Sequence, residues 1–434
     1  MRVLKRSRSG LELEVQLLDN QGRISNESAR LMKELRRKNS KIDATFEAAQ
    51  NVIELRSLPK VKLKDSLPRL FDDLEKTLDA AERLGMKIYG LGTYPGKFRG
   101  KIRDDERYKV QEKIFGTNFA LSTSHCAGFH YHYALPRGVF DNRRKFLKQQ
   151  FNSRMQKSLI DSYNFLVAAD PAVSCLMQSS PFVDGKYVAK DSRILLYRSP
   201  VDLGYEKNMY KVLPEFSELP PYVFTVSDLR DGLISMDMKW RETVKASGYG
   251  KKLRKRILDF NWRVVKINKL GTVEYRGADM NHPKYFAGIA VLLKSVQRAI
   301  HQKYFEMRVS DAAIKTPFKV EGKTVLIPPL QYVKEKLQRA SAYRGFDDKE
   351  IYNYTRRFFA FAKEFVIDDY RKLLKPLAQL ISRKKTVSDV MVGRLRKLGY
   401  RINDSVPQEV WQEISLKHAE QFRREAFIVK DLLR

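Results

Sequence analysis

The sequence is poor in several things, and each shortage narrows the reading. It holds two cysteines, Cys126 and Cys175, in 434 residues, too few for a disulfide framework, so a reducing cytoplasm is the expected setting. No apolar run reaches the length that spans a bilayer, and the basic opening "MRVLKRSRSG" is followed by no apolar stretch of the kind a signal peptide carries. No Gly-x-x-x-x-Gly-Lys loop is present, which excludes a P-loop nucleotidase. Internal repeats and low-complexity tracts are absent. Acids are scarce relative to bases: 51 Asp and Glu stand against 83 Lys and Arg, a formal charge of +32. Such a charge attracts polyanions, from nucleic acid to ATP. The bases are spread along the whole chain, however, and do not gather in one tail.

At 43% hydrophobic residues the chain can bury a large core. "GLELEVQLLDNQGRI" reads as a strand, a turn at Asn20–Gly22 and a return. Residues 27–38 and 66–85 read as helices, the second stopped by Gly85. "MKIYG" is a short strand entering a Gly/Pro loop, and residues 118–135 read as a further strand. Residues 142–169 read as helix; Pro171 is expected to open another helix and Pro181 to end it. Residues 185–250 read as loops and short elements. A strand within 260–280 precedes a long helix over 284–306. After about 328 the chain is helical and basic. Strands and helices without regular βαβ alternation indicate an α+β fold with an antiparallel sheet. The expected division is a catalytic domain over 1–315 and a basic helical region over 316–434.

The few acids sit in suggestive places. In "LELEV" Glu12 and Glu14 alternate with Leu11, Leu13 and Val15, so both carboxylates share one strand face, where they repel unless a cation lies between them. Glu47 and Gln50 share a face if 44–50 is helical, and Glu54 follows. "SHCAGFHYHY" places His130 and His132 on one strand face. With Cys126 they offer three zinc ligands and an open position, but no paired Cys-x-x-Cys supports zinc. "LGTVEYRGADM" places Glu274 and Arg276 on one face, with Asp279 beyond. Singly, each reads as a solvated face or a satisfied core histidine. Together, carboxylates with an imidazole suit Mg²⁺ or Mn²⁺ better than zinc, and an arginine beside such ions is the apparatus of phosphoryl transfer.

Seven motifs in order resemble the glutamate–cysteine ligases of the carboxylate–amine ligase branch: "GLELE", "EAAQNVIEL", "LGTYPG", "RYKVQEKIFG", "GFHYHY", "CLMQSSPFVDG" and "GTVEYRGAD". The resemblance covers residues 9–300. It implies a glutamine-synthetase-like fold, a curved antiparallel sheet with helices on one face. It also implies a cytoplasmic ATP- and Mg²⁺-dependent ligase of the glutathione-biosynthesis type. Such an enzyme phosphorylates the γ-carboxylate of glutamate and lets an amine such as cysteine attack the acyl phosphate. Carried over by motif, the metal ligands are Glu12, Glu14, Glu47, Glu54, His130 and Glu274. Arg276 meets the transferring phosphoryl group, and Arg193 of "DSRILLYRSP" holds the substrate carboxylate. Tyr94 in "GTYPG" stands where the family commonly has histidine, so the acid and the amine are open, as is the oligomeric state. Loop 90–105 is expected to act as a lid. Two alternatives are a nucleic-acid-binding protein that uses the basic C-terminal helices and a ligase of the same fold that tailors a different acid or peptide.

Overall fold

A computed structural model describes residues 8–38, 42–149, 153–198, 203–249 and 257–434. Seven strands form its main sheet: β1 (Ser9–Asp19), β2 (Ala44–Phe46), β3 (Val52–Arg56), β4 (Met86–Tyr89), β5 (Gly128–Ala134), β6 (Val265–Asn268) and β7 (Thr272–Asp279). They run in the order β6-β7-β5-β1-β3-β2, and every pairing is antiparallel. The eleven-residue β1 is long enough to serve two neighbours on one edge. Gln16 pairs with Val52 of β3 on one side and with Tyr89 on the other, so β4 continues the edge that β5 occupies lower down.

The period of two gives the sheet two unlike faces. Leu11, Leu13, Val15, Ile53, Leu55, Phe129, Tyr131, Val273 and Tyr275 are buried on one of them. Against that face pack α2 (Leu63–Arg83), α5 (Arg154–Met177) and α8 (Pro283–Lys303). The other helices before residue 283 are α1 (Ser28–Lys38), α3 (Glu106–Phe115), α4 (Thr117–His125), α6 (Ser192–Tyr197) and α7 (Val226–Ala246). From Ser158 to Met177, α5 is buried on every side, which explains its weak polar–apolar periodicity.

Four longer helices close the chain: α9 (Lys349–Lys363), α10 (Lys375–Arg383), α11 (Val387–Lys397) and α12 (Gln408–Leu433). Trp411, Phe422 and Val429 of α12 belong to the same continuous core as Leu13 of β1. A small sheet of Glu306–Val309, Val320–Glu321 and Thr324–Ile327 lies just before these helices and contains one parallel pair. Among the described residues, no helix is long and apolar enough to cross a membrane.

Several local expectations are corrected. Residues 44–46 form a strand and 47–51 a turn, so Glu47 and Gln50 are not on a helix. Residues 117–125 are helical, and the strand begins only at Gly128. Residues 140–147 form a small hairpin, and the helix expected from 142 starts at Arg154. Pro171 opens nothing: α5 runs through it, supported by burial all round. Residues 226–246 form a helix where loops and short elements were expected. Its capping box is Thr225 with Asp228, and its buried stripe is Leu229, Leu233, Met236, Trp240 and Val244.

Candidate active site

The polar face of the sheet gathers acids and histidines by register. Glu12 lies opposite His130 on one side and Arg56 on the other, Glu14 lies opposite Glu54, and Glu274 lies opposite His132. The side chains meet accordingly. His130 Nδ1 is 3.1 Å from Glu12 Oε2, and His130 Nε2 is 3.4 Å from Glu14 Oε1. His132 Nε2 is 3.2 Å from Glu12 Oε1, and its Nδ1 is 3.0 Å from Thr272 Oγ1. The Gly128 amide donates to Glu14 Oε2 at 2.5 Å. Two groups of three have ligand atoms mutually within 4.8 Å: Glu12, His130 and Glu274, and Glu14, Glu54 and His130.

Charge on this face is unbalanced. Burial, and then the charges of Glu12, Glu47 and Glu14, push the Glu54 carboxyl well above the ordinary range. Burial and then Glu14 push Glu47 up to about 7, against the pull of Arg276 and Arg107. Glu12 goes the other way: burial alone would raise it, but its bonds to His130 and His132 hold it well below the usual carboxylate range. Glu274 is likewise held at about 2, because Lys266, His132 and Arg276 outweigh its burial. Burial would lower His132, and the charges of Glu274 and Glu12 raise it.

The donor set accommodates a hard divalent cation. Four carboxylates and two imidazoles converge, with His130 Nε2 and His132 Nε2 buried 3.4 and 3.2 Å from oxygens of Glu14 and Glu12. Packing like charges together out of water is costly, and a cation relieves it.

Arg276 points at this cluster. Its Nη1 lies 3.1 Å from Glu274 Oε1, and its side chain keeps 23% exposure, so it is open to a ligand. A bulge in β7 between Tyr275 and Ala278 sets its direction. The bulge carbonyls are held by two arginines. Arg193 of α6 donates to the carbonyls of Gly277 (3.3 Å) and Ala278 (3.1 Å), and Arg198 donates to that of Gly277 (3.1 Å). Arg198 is also bidentate to Asp170, at 2.6 and 2.8 Å. Any Cβ at Gly277 would fall 2.4 Å from Asp170 Oδ1, so only glycine fits.

A family model for glutamate-cysteine ligase family 2 matches residues 8–373. The chain belongs to that family. Among solved structures, it is similar to the glutamate–cysteine ligase of Francisella tularensis in complex with AMP, with 14% identity and a TM-score of 0.56. That likeness covers 99% of this chain and 92% of the other. It is also similar to the bifunctional glutathione synthetase of Pasteurella multocida, with 14% identity and a TM-score of 0.58. This second likeness covers 96% of this chain but 53% of the other, so the family member spans about half the length of that protein. At these identities the likenesses establish the fold. A comparison with curated proteins finds no match.

The family member brings Glu12, Glu14, Glu54, His130, Glu274 and Arg276 onto one face. Glu47 stands in the turn after β2, outside the two close groups but within electrostatic reach of Glu14 and Arg276. Arg193 donates to main-chain carbonyls of the bulge, and a Cβ at Gly128 would fall 2.2 Å from its Nη2 and 3.1 Å from Glu14 Oε2, so its guanidinium lies on the acid face. Cys126 turns away into a small apolar cluster with Val183 and Leu196, so zinc gains no third ligand from it. Asp279 is also off the site: it accepts from the Ser179 amide at 2.8 Å and pins the "QSSPF" segment.

Three contributors escaped the sequence reading. His132 was weighed only for zinc, and Lys266 and Asn268 on β6 were not singled out; both bond Glu274. Period two along "VKIN" and "HYHY" is the signal that reaches them. The lid expectation also changes. Residues 91–96 are buried, Tyr94 donates to the Gly22 carbonyl at 3.0 Å, and Gln408 of α12 donates to the Tyr94 hydroxyl at 3.3 Å. A Cβ at Gly92 would fall 2.3 Å from Asp279. The first half of loop 90–105 is therefore packed into the core.

Proposed function

We propose that this chain is an ATP- and Mg²⁺-dependent ligase that activates the γ-carboxylate of glutamate, or a similar acid, as an acyl phosphate and joins it to an amine such as cysteine. The observation that carries the reading is the convergence of Glu12, Glu14, Glu54, His130 and Glu274 on one sheet face with Arg276 beside them, in a member of this family.

A carboxylate acylates poorly because oxide would have to leave; phosphorylation makes the leaving group phosphate. Both reactants are anionic, and bound Mg²⁺ would supply the charge neutralisation that brings them together. Glu12, His130 and Glu274 form one cradle for such an ion, and Glu14 and Glu54 form a second; Mn²⁺ suits the same donors. Neutral imidazole offers one lone pair, so His130 serves one ion and leaves the other with positions open to phosphate oxygens. Glu47 completes the acid wall from its turn. Arg276 stabilises charge as it develops on the transferring group, and the low local dielectric makes that worth more than in water. Arg193 and Arg198 hold the bulge that aims it. In this reading Arg193, beside Gly128 and Glu14, also holds the substrate carboxylate.

ADP release with Mg²⁺, ATP and glutamate, with and without a panel of amines led by cysteine, tests the reading. Release that needs both the acid and one amine supports it and names the acceptor. No release with any pair, in protein that binds ATP, refutes glutamate as the acid. Absence of ATP binding refutes the ligase reading and turns attention to nucleic acid and the C-terminal helices.

A further inference from the structure

A cavity of about 340 Å³ opens on the reverse side of the sheet from the acid cluster. That volume falls in the lower range of small-molecule sites, roughly 300–1,000 Å³. Its wall comes from three separate parts of the chain: the start of α2, one side of α8, and the segment Ile367–Tyr370. Tyr133 of β5 stands at its floor, one residue from His132, but on the opposite face of the strand.

Its chemistry is the inverse of the site in front. Four cationic side chains line it, Lys62, Lys64, Lys294 and Arg298, against one acid, Asp369. Lys294 is 5% exposed and holds its ammonium 5.0 Å from the centre of the Tyr133 ring. Burial and then the charge of Arg298 push Lys294 down to about 7. Concentrating cations in a concave, partly desolvated space is costly unless an anion joins them. The twenty-one-residue helix α2 also begins here, and no side chain of its own N-cap residue, Lys62, caps it. The dipole of that helix adds to the positive potential, offset in part by Asp65 in its first turn.

We propose that this cavity is a binding site for a small phosphate-bearing anion. The site does not depend on the ligase reading of the front face. Phosphate is favoured over carboxylate by the donors. Three lysines act as compact point charges and Arg298 as a fork, which together suit a group with three anionic oxygens. Leu63 and Ile367 in the same wall give an attached organic body an apolar surface. Because Tyr133 and His132 are consecutive on β5, an anion drawn against Lys294 sits one sheet thickness behind the acid cluster, a placement suited to an effector.

Calorimetric titration of the full chain with inorganic pyrophosphate, without divalent cations, tests this. One site per chain is expected. Lys294→Met, which keeps the volume and removes the charge, and Arg298→Gln should each weaken binding by roughly tenfold or more. Lys62→Ala, at an exposed position, should weaken it about threefold. Arg276→Met, on the front face, should leave it unchanged. Absence of binding, binding indifferent to Lys294, Arg298 and Lys62, or binding lost in Arg276→Met would overturn the proposal. Tighter binding of citrate than of pyrophosphate would overturn the assignment to phosphate.

Discussion

Two regions of this molecule concentrate acids, and they do opposite things with them. On α2, Asp72, Glu75, Asp79 and Glu82 face the C-terminal helix α12. Lys430 meets Asp72 at 2.7 Å and also bonds Glu75; Arg423 meets Asp79 at 2.7 Å and Glu82 at 3.3 Å. Every acid there has a cation from the partner helix, and the result is a docked α12. On the polar face of the sheet, Glu12, Glu14, Glu47 and Glu54 face one another, the histidines, Arg276, Arg107 and Arg56 offset them only in part, and two of the four are pushed up by burial and by their neighbours. An acid cluster completed by the chain's own cations is a structural joint. One left incomplete is a place for cations from outside. Part of the basic excess of the C-terminal region is accounted for at the joint.

The largest effect is expected at Glu274. Glu274→Gln keeps size and hydrogen bonding but removes a ligand charge, and ADP release should be abolished while the fold, followed by circular dichroism, persists. Arg276→Ala comes next: it should raise the barrier by roughly 2–4 kcal/mol, read as kcat, because it removes a group aimed at developing charge. Wild-type turnover in either variant would sink the site assignment. Third, Glu54→Gln should raise the stability of the metal-free protein by about 0.5–2 kcal/mol in denaturant unfolding, since it removes like-charge repulsion. At the joint the sign reverses. Asp79→Asn should lower stability by about 0.2–1 kcal/mol and leave ADP release untouched, because its pair with Arg423 is partly exposed.

Acid separates the regions too. His418 of α12 is held at about 3 by burial and then by Arg394, so it folds neutral and unfolds able to bind a proton. The stability it contributes is present above the ordinary histidine value of 6.5 and is lost as pH falls toward 3. Glu47, at about 7 in the folded protein against an ordinary 4.5, takes up its proton more readily when folded. Its share of stability is therefore present below pH 4.5 and is lost as pH rises through 7. As pH is lowered from 8 to 4, the melting temperature of Glu47→Gln should drop relative to the wild type, and that of His418→Gln should climb relative to it.

The sheet was legible because period two is a rigid code. Once "LELEV", "FHYHY" and "TVEYR" are strands, one face of each must carry the acids and histidines, and antiparallel pairing then puts Glu12 opposite His130 and Glu274 opposite His132. The direction of Arg276 was legible only in part, since the bulge that sets it depends on Asp170, Arg193 and Arg198, which lie 78 to 106 residues away in sequence. The first half of loop 90–105 was misread because its glycines look like hinges. Gly92 is instead a site of close approach to Asp279, which only tertiary packing discloses. Helix α7 carried a readable capping box and stripe, hidden by the Pro-, Gly- and Tyr-rich stretch that precedes it.

On this reading the incomplete acid cluster takes up divalent cations and the completed one does not. Electron paramagnetic resonance titration with Mn²⁺ in the presence of a non-hydrolysable ATP analogue tests it most directly. Tight Mn²⁺ binding that is lost in Glu12→Gln and Glu274→Gln and kept in Asp79→Asn is the predicted result. No tight Mn²⁺ binding by the wild type, or binding indifferent to Glu12 and Glu274, would contradict it.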